Sequence, residues 1–268
     1  MTLRVCLVTP FSWSQPHDVN EHVAGAAEEL RARGHAVTVL APSGRARDLL
    51  AGRRALVRGE LGGVVAVGPA VPVSRRSSVG LPVGMRANLA LALARGGFDI
   101  VHGFEPGLPS LSYVALRDAR ALTVATVLSP ERLAYPPART RRERLLTRID
   151  ALLATSAEAA AAAQERLPGD YRLISPGVDL ELFRPGRKRR LVVLELRLSE
   201  LPLARSVMRA LRDLPDWELV LLRTKPLSGR PAVPPSLRGR AKDGVRASRQ
   251  RARASPRSAP SSTRSTAS

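Results

Sequence analysis

The chain is poor in several residue types on which common kinds of site depend. Its 268 residues include one cysteine, Cys6, which excludes an intramolecular disulfide framework and a zinc site built from several cysteines. The aromatic residues (2 Trp, 3 Tyr and 4 Phe) are too few for a fold that stacks nucleic-acid bases. No stretch reaches the ~18 uncharged apolar residues of a membrane span, and residues 5–8 are too short an apolar run for a signal peptide. We therefore expect a cytoplasmic protein.

Positive charge is abundant but unevenly distributed. The sequence has 43 Lys and Arg against 23 Asp and Glu, a formal net charge of +20, and residues 223–268 alone hold 12 of the basic residues and one acid. Such an excess is compatible with nucleic acid, an anionic membrane surface or phosphorylated ligands. Residues 249–268 contain no Leu, Ile, Val or aromatic residue, so we expect residues 226–268 to form a disordered basic tail.

Apolar runs alternate with amphipathic segments over most of the chain. The pattern predicts strands at residues 3–9 and 36–40 with a helix between them. Asp18 is the predicted N-cap of this helix, Glu21 completes a capping box, and Gly34 ends the helix. Further strands are predicted at 64–67, 99–102, 123–128, 151–154 and 171–175, and further helices at 86–94, 111–117, 140–149 and 156–166. Thr140 and Glu143 form a second capping box at the start of the helix 140–149, and Ser156 caps the Ala-rich helix that follows it. This alternation predicts an α/β fold, a Rossmann-like doubly wound parallel sheet.

A second unit begins after a Pro- and Gly-rich crossing. Strands at 191–196 and 218–222 flank a helix at 203–214, and the pattern then stops. We therefore predict a Rossmann-like domain at 1–186, a partial second Rossmann-like domain at 187–225 and the tail at 226–268.

The position of the strands predicts where a ligand binds. In open parallel sheets, ligands bind beyond the carboxyl ends of the strands, so residues 11–20, 103–109 and 129–135 should converge. Glu105 is then a hydroxyl acceptor or a base, or else a plain surface carboxylate. A helix that begins near Asn20 favours a phosphate or sugar hydroxyls at its N-terminus, although Asp18 there fits an ordinary N-cap as well.

Common short signatures are missing from the sequence. After the first strand there is no G-x-G-x-x-G, and neither a G-x-x-x-x-G-K-[ST] loop nor a G-x-S-x-G elbow occurs. The four histidines do not form H-E-x-x-H, and we expect no metal site from them.

Several stretches together resemble a known family. They lie in order and at matching spacing: residues 4–8, Phe11-Ser12-Trp13, Gly34-His35, residues 98–102, Glu105-Pro106 and residues 175–179. Over about residues 2–222 the chain resembles family-4 glycosyltransferases, specifically the N-terminal domain of their phosphatidylinositol mannosyltransferase-like branch.

The resemblance implies a GT-B architecture with an acceptor-side first domain and a donor-side second domain. It implies a retaining, metal-independent hexosyltransferase without a cofactor, which moves a hexose from a nucleotide-diphosphate-sugar to a lipid, glycan or small-molecule acceptor. We expect no specific nucleic-acid partner. We do expect peripheral contact with the inner, anionic face of a membrane. The implied catalytic residues are Glu105 and His102. The implied substrate and donor ligands are Pro16, His17, Asp18, Asn20, His22 and Arg197.

The sequence also departs from the family pattern. His17-Asp18 stand where the family usually has Gly-Gly, Leu128 falls where it has a histidine, and Leu203-Ala204 replace a Lys-Gly pair. No glutamate follows Glu218, so the family's E-x₇-E segment is missing. We therefore expect an incomplete or impaired copy.

Two explanations of these departures stay open. Either the gene is truncated or frameshifted near residue 240, or the chain is a non-catalytic binding module whose native tail contacts anionic membrane or nucleic acid. The Arg-rich segment 139–148 is a second candidate for anionic lipid, or a solvated helix face.

Overall fold

The computed structural model describes residues 1–72, 78–80, 84–178, 180, 183–195, 201–214 and 216–222. These residues group into two compact units, one that ends at Phe183 and one that starts at Arg184. The predicted tail at 226–268 lies outside the described residues, and so does the predicted donor ligand Arg197.

The first unit is built on a parallel sheet. Its elements are, in chain order, β1 (Arg4–Val8), α1 (Asp18–Ala32), β2 (Ala36–Ser43), α2 (Ala46–Arg58), β3 (Gly63–Pro69), β4 (Val71–Pro72), β5 (Ser78–Val79), α3 (Arg86–Gly96), β6 (Ile100–Phe104), α4 (Leu111–Asp118), β7 (Leu122–Val127), α5 (Arg139–Leu146), β8 (Ala151–Ala154), α6 (Ala157–Arg166) and β9 (Tyr171–Leu173). Seven strands pair in the order β3-β2-β1-β6-β7-β8-β9, and every pairing among them is parallel. The predicted Rossmann-like α/β sheet is therefore confirmed.

Alternating side chains of the central strand β1 belong to two different apolar clusters. Val5 and Leu7 pack with buried residues of α1 in one cluster. Cys6 and Val8 belong to the other, which includes buried residues of α2 to α6. Because successive strand residues point to opposite faces of a sheet, β1 is covered on both faces. This explains why its sequence is continuously apolar instead of alternating with polar residues.

Two predicted helix caps are wrong. His17, not Asp18, is the N-cap of α1, and its side chain accepts a hydrogen bond from the Val19 amide. At α5 the N-cap is Ala138, which has no capping side chain, so the predicted box there does not form. Glu143 instead pairs with Arg139 at 2.8 Å, one helical turn away. The C-terminal prediction for α1 is confirmed, since Gly34 follows the helix with φ of 87° and has no Cβ to oppose it.

Helix α2 was not predicted, and a glycine in its interior fixes how it packs. A Cβ built on Gly52 would lie 2.1 Å from the carbonyl oxygen of Ala66 in β3. The close approach of this helix to the edge strand therefore requires glycine at this position.

We expect Gly52→Ala to destabilise the protein by about 3 kcal/mol, because backbone atoms of β3 cannot move aside as a flexible side chain can. Gly25→Ala in α1 is the matched control, since nothing lies within 4 Å of its Cβ position. That control should be neutral or stabilising by up to ~1 kcal/mol. Urea denaturation of both variants tests this, and equal midpoints would contradict the packing argument.

The second unit contains one parallel β-α-β segment among its described residues. It comprises β10 (Leu191–Glu195), α7 (Leu201–Ala210), a short 3-10 turn at Leu211–Asp213 and β11 (Glu218–Leu222). β10 pairs with β11 from Leu191 opposite Glu218 to Glu195 opposite Leu222. In the described part of the chain, no helix has the length and hydropathy that crossing a membrane requires.

Candidate functional site

The sheet order creates a crevice between β1 and β6. These strands are neighbours, yet β1 is followed by β2 on one side and β6 by β7 on the other. At such a switch point the loops that leave the two carboxyl ends diverge, and ligands bind in the gap. The loop after β1 and the loop after β6 are two of the three stretches predicted to converge.

Glu105 stands at the carboxyl end of β6, in the crevice. Its φ is 54°, a left-handed conformation that is unfavourable for a residue with a side chain. The Glu105 amide donates to the carbonyl of Thr126 at 2.9 Å, so the end of β7 holds this backbone in place. The side chain is fully buried. The structure thus excludes the alternative that Glu105 is a plain surface carboxylate.

The two carboxyl oxygens of Glu105 have different surroundings. Oε1 accepts from the Ser129 amide at 3.1 Å and from Arg132 Nη1 at 3.2 Å. Oε2 is buried and has no hydrogen-bond partner among the described residues. Burial raises the pKa of Glu105 to about 7, although the nearby charge and hydrogen bond of Arg132 act to lower it. The carboxyl group therefore exchanges its proton near neutral pH, and one of its oxygens makes no hydrogen bond to the described residues.

Arg132 joins the loops of the site. Its Nη2 lies 3.2 Å from Asp18 Oδ2, and its Cζ lies 5.1 Å from the centre of the Phe11 ring. With its contact to Glu105, this side chain connects the loops after β1, β6 and β7. Stretch 129–135 was predicted to reach the site, but no single residue in it was predicted to take part. A lone arginine in a loop gave no signal of this role.

His17 and Asp18 form a polar pair at the start of α1. His17 stacks on Phe11 with ring centres 3.5 Å apart, and its Nδ1 lies 2.7 Å from Asp18 Oδ1 and 3.3 Å from the Val19 amide. One nitrogen cannot donate to Asp18 and accept from Val19 at once, so the two contacts belong to different tautomers of the ring. The hydrogen bond from His17, with the charges of His17 and Arg132, holds the pKa of Asp18 well below its usual range despite partial burial. Asp18 is therefore an ionised, accessible carboxylate.

Asn20 holds the loop after β1 with both polar atoms of its side chain. Its Oδ1 accepts from Thr9 Oγ1 at 2.6 Å, and its Nδ2 donates to the Ser12 carbonyl at 2.9 Å. The residue is buried. Asn20 thus positions the loop, while Pro16 lies exposed beside His17.

His102 and His22 lie apart from this network. His102 stands two residues before the end of β6, 2.6 Å from Thr126 Oγ1, and stacks on Phe104. His22 of α1 meets the edge of the same Phe104 ring. Burial, with a smaller contribution from His22, lowers the pKa of His102 to about 3, and burial also lowers that of His22. Both rings are therefore neutral at pH 7, and both contact the ring of Phe104.

Leu128, where the family resemblance places a histidine, packs against the apolar cluster that contains Phe11 and Phe104. Among the described residues, no group of three or more His, Cys, Asp or Glu is arranged to hold a metal ion.

The fold and the crevice define the class of this unit as a Rossmann-like α/β domain. Residues 19–182, more than half of the chain, match the family model for Glycosyltransferase Family 4. The chain belongs to this family, and the resemblance seen in the sequence is confirmed.

Similar proteins include curated relatives and solved structures. The phosphatidyl-myo-inositol mannosyltransferase of Propionibacterium freudenreichii is 36% identical over 183 residues, 66% of this chain and 47% of that protein. The protein of the same name in Mycobacterium tuberculosis is 36% identical over 127 residues, 46% of this chain and 31% of that protein. The chain thus spans less than half the length of these relatives. Anabaena HepE in complex with UDP and glucose aligns over 82% of this chain and 60% of that one, with 15% identity and a TM-score of 0.48.

Proposed function

We propose that this chain supplies the acceptor side of a hexosyltransferase that moves a hexose from a nucleotide-diphosphate-sugar to a lipid acceptor. The observation that carries the proposal is the buried Glu105 carboxyl at the switch point, whose Oε2 has no hydrogen-bond partner in the part of the chain that the structure describes. The names of the relatives support mannose as the hexose and phosphatidyl-myo-inositol as the acceptor.

The chemistry of the crevice suits a polyol. A hydroxyl group both donates and accepts hydrogen bonds, and the crevice offers Oε2 of Glu105 and the ionised Asp18 as acceptors. Arg132 lies between these carboxyl groups and keeps them in place. Because the pKa of Glu105 is about 7, its ionised form can accept the proton of an acceptor hydroxyl at slightly alkaline pH.

The donor side rests on the family pattern alone. Binding of the donor diphosphate by Arg197, a retaining outcome, independence from metal ions and peripheral contact with the cytoplasmic face of a membrane are proposals from that pattern. For His102 we infer a positioning role, because its ring supports Phe104 and Thr126 at the end of β6.

A second candidate function is a binding module that holds the acceptor without transferring sugar. The packing of Leu128 in an apolar cluster favours it, since no proton-transferring side chain stands at that position. The proposed use of the tail on anionic membrane or nucleic acid concerns residues outside the described part.

We expect the full chain to bind myo-inositol phosphate, the headgroup of phosphatidylinositol, saturably in the presence of EDTA. Asp18→Asn should weaken this binding about tenfold, because it removes a charged hydrogen-bond acceptor. Asp170→Asn, at an exposed aspartate after α6, is the matched control and should bind as the wild type does. Isothermal titration calorimetry measures all three proteins.

Absence of binding, or equal affinity in the two variants, would refute the acceptor site. A second assay separates the two candidate functions. The assay follows labelled mannose from a nucleotide-diphosphate-mannose. Label that appears on phosphatidylinositol supports the transferase. If the headgroup binds but no label is transferred to phosphatidylinositol, the result supports the binding module.

A further inference from the structure

A second concave site lies along α2, away from Glu105. A groove of about 670 Å³ runs between α2 and the edge strand β3. Its polar lining includes Ser43, Arg45 and Arg47, and its apolar lining includes Trp13, Ala55 and Val64. None of these side chains takes part in the network around Glu105.

Arg45 is buried in the wall of this groove without full compensation of its charge. Its side chain is only 13% exposed, and Nε and Nη2 are buried with no hydrogen-bond partner among the described residues. The carboxylate of Asp48 lies 3.9 Å from Nε, too far for a hydrogen bond. Buried cations are usually paired, and an unsatisfied one calls for a missing partner such as an ion.

The local balance of charge is positive. The same Asp48 carboxylate lies 3.6 Å from Arg47 Nε and accepts from Ser43 Oγ at 2.7 Å. One carboxylate is thus the ion-pair partner of two guanidinium groups. Both arginines also stand at the amino end of α2, whose N-cap has no side-chain hydrogen bond. Since that end of a helix is itself partly positive, the arrangement is unfavourable unless an anion completes it.

We propose that this groove binds a soluble phosphate monoester, with the phosphate group on Arg45 and Arg47. Guanidinium groups recognise phosphate oxygens well. The organic part of the monoester then packs against the apolar wall of the groove, formed by Trp13, Ala55 and Val64. The proposal goes beyond acceptor binding, because it uses other residues and another part of the sheet.

A free phosphate compound and a lipid headgroup share this chemistry, and the geometry favours the free compound. The Arg45 side chain is almost enclosed, whereas a headgroup held in a bilayer reaches exposed side chains. Inorganic phosphate, glycerol phosphate and phosphatidic acid vesicles therefore form three arms of one test on the full chain.

Arg45→Met is the decisive variant, and Arg54→Met, at an exposed arginine of the same helix, is its matched control. In phosphate-free buffer we expect Arg45→Met to raise the melting temperature, because it removes an incompletely paired buried charge. Inorganic phosphate and glycerol phosphate should raise the melting temperature of the wild type and of Arg54→Met. Their affinity for Arg45→Met should fall about tenfold or more.

The outcomes that would overturn the proposal are equally specific. The proposal fails if the wild type binds neither inorganic phosphate nor glycerol phosphate, or if Arg45→Met binds them as tightly as the wild type does. It also fails if Arg45 is needed for binding of phosphatidic acid vesicles but not for binding of the two soluble phosphates. Calorimetric titration of each probe gives the affinities. The melting temperature in phosphate-free buffer shows that each variant is folded.

Discussion

Glu105→Gln is expected to make the protein more stable at pH 8, by up to about 3 kcal/mol, while it weakens headgroup binding. Burial raises the pKa of this carboxyl from 4.5 to about 7. At a pH between these two pKa values, Glu105 is therefore protonated in the folded state and ionised in the unfolded state. Stability is highest below pH ~4.5 and falls as the pH rises to about 7, where the buried group ionises. Glutamine carries no charge to bury, so its stability lacks this decline.

Urea denaturation at several pH values measures the effect. The difference in unfolding free energy between Glu105→Gln and the wild type should grow from pH 5 to pH 8 and then level off. Glu143→Gln, at an exposed carboxylate that pairs with Arg139, is the control and should change stability by less than ~0.5 kcal/mol at either pH. A constant difference across the range would show that Glu105 titrates normally.

The same variant tests the function of the site. If Oε2 of Glu105 accepts a hydrogen bond from the acceptor, glutamine can place an NH₂ group there, and affinity for myo-inositol phosphate should fall about tenfold. A stabilised protein with weakened binding is typical of a group kept for function at the expense of stability. Unchanged affinity would show that the free oxygen does not meet the ligand.

Arg132→Met is expected to lower the stability by about 2 kcal/mol at pH 8, and by less at pH 5. The guanidinium is the only cation within hydrogen-bond reach of Glu105 among the described residues, and its charge acts to lower the Glu105 pKa. Its removal raises that pKa further and leaves the ionised carboxylate unpaired. At pH 5 the carboxyl is mostly protonated, so the loss there comes from the contacts with Asp18 and Phe11.

A double variant separates these contributions. Glu105→Gln should remove most of the pH dependence of the Arg132→Met effect, because no buried charge then needs the guanidinium. Arg139→Met, which alters an exposed ion pair, is the control at both pH values. A stability loss that is equal at pH 5 and pH 8 would contradict the pairing of Arg132 with Glu105.

Elements with local signals were predicted well. Strand β8 has the predicted bounds, and helix α6 follows Ser156, whose side chain accepts from the Ala159 amide. A serine cap and an Ala-rich run need no distant partner. The cap of α1 differs because His17 stacks on Phe11, a contact between loop residues that no local rule contains. Helix α2 was missed for a related reason, since the glycine in its interior is explained only by the approach of β3.

The convergence of the three loops was predicted, but the contacts between their side chains were not. The rule that ligands bind beyond the carboxyl ends of parallel strands predicts that these loops meet, and Arg132 of the third loop contacts both Glu105 and Asp18. It cannot predict Arg132, because the role of this residue depends on three loops that meet only in the folded chain. The family pattern implies a catalytic role for His102, and the structure stacks its ring on Phe104, since residues two apart in a strand share a face.

Hydrogen–deuterium exchange of the full chain with and without myo-inositol phosphate tests the central claim most directly. If the acceptor headgroup binds at the switch point, exchange should slow in the loops 9–20, 103–109 and 129–135 together, and this protection should decrease in Glu105→Gln. Protection confined to other parts of the chain, or none at saturating ligand, would contradict an acceptor site at Glu105.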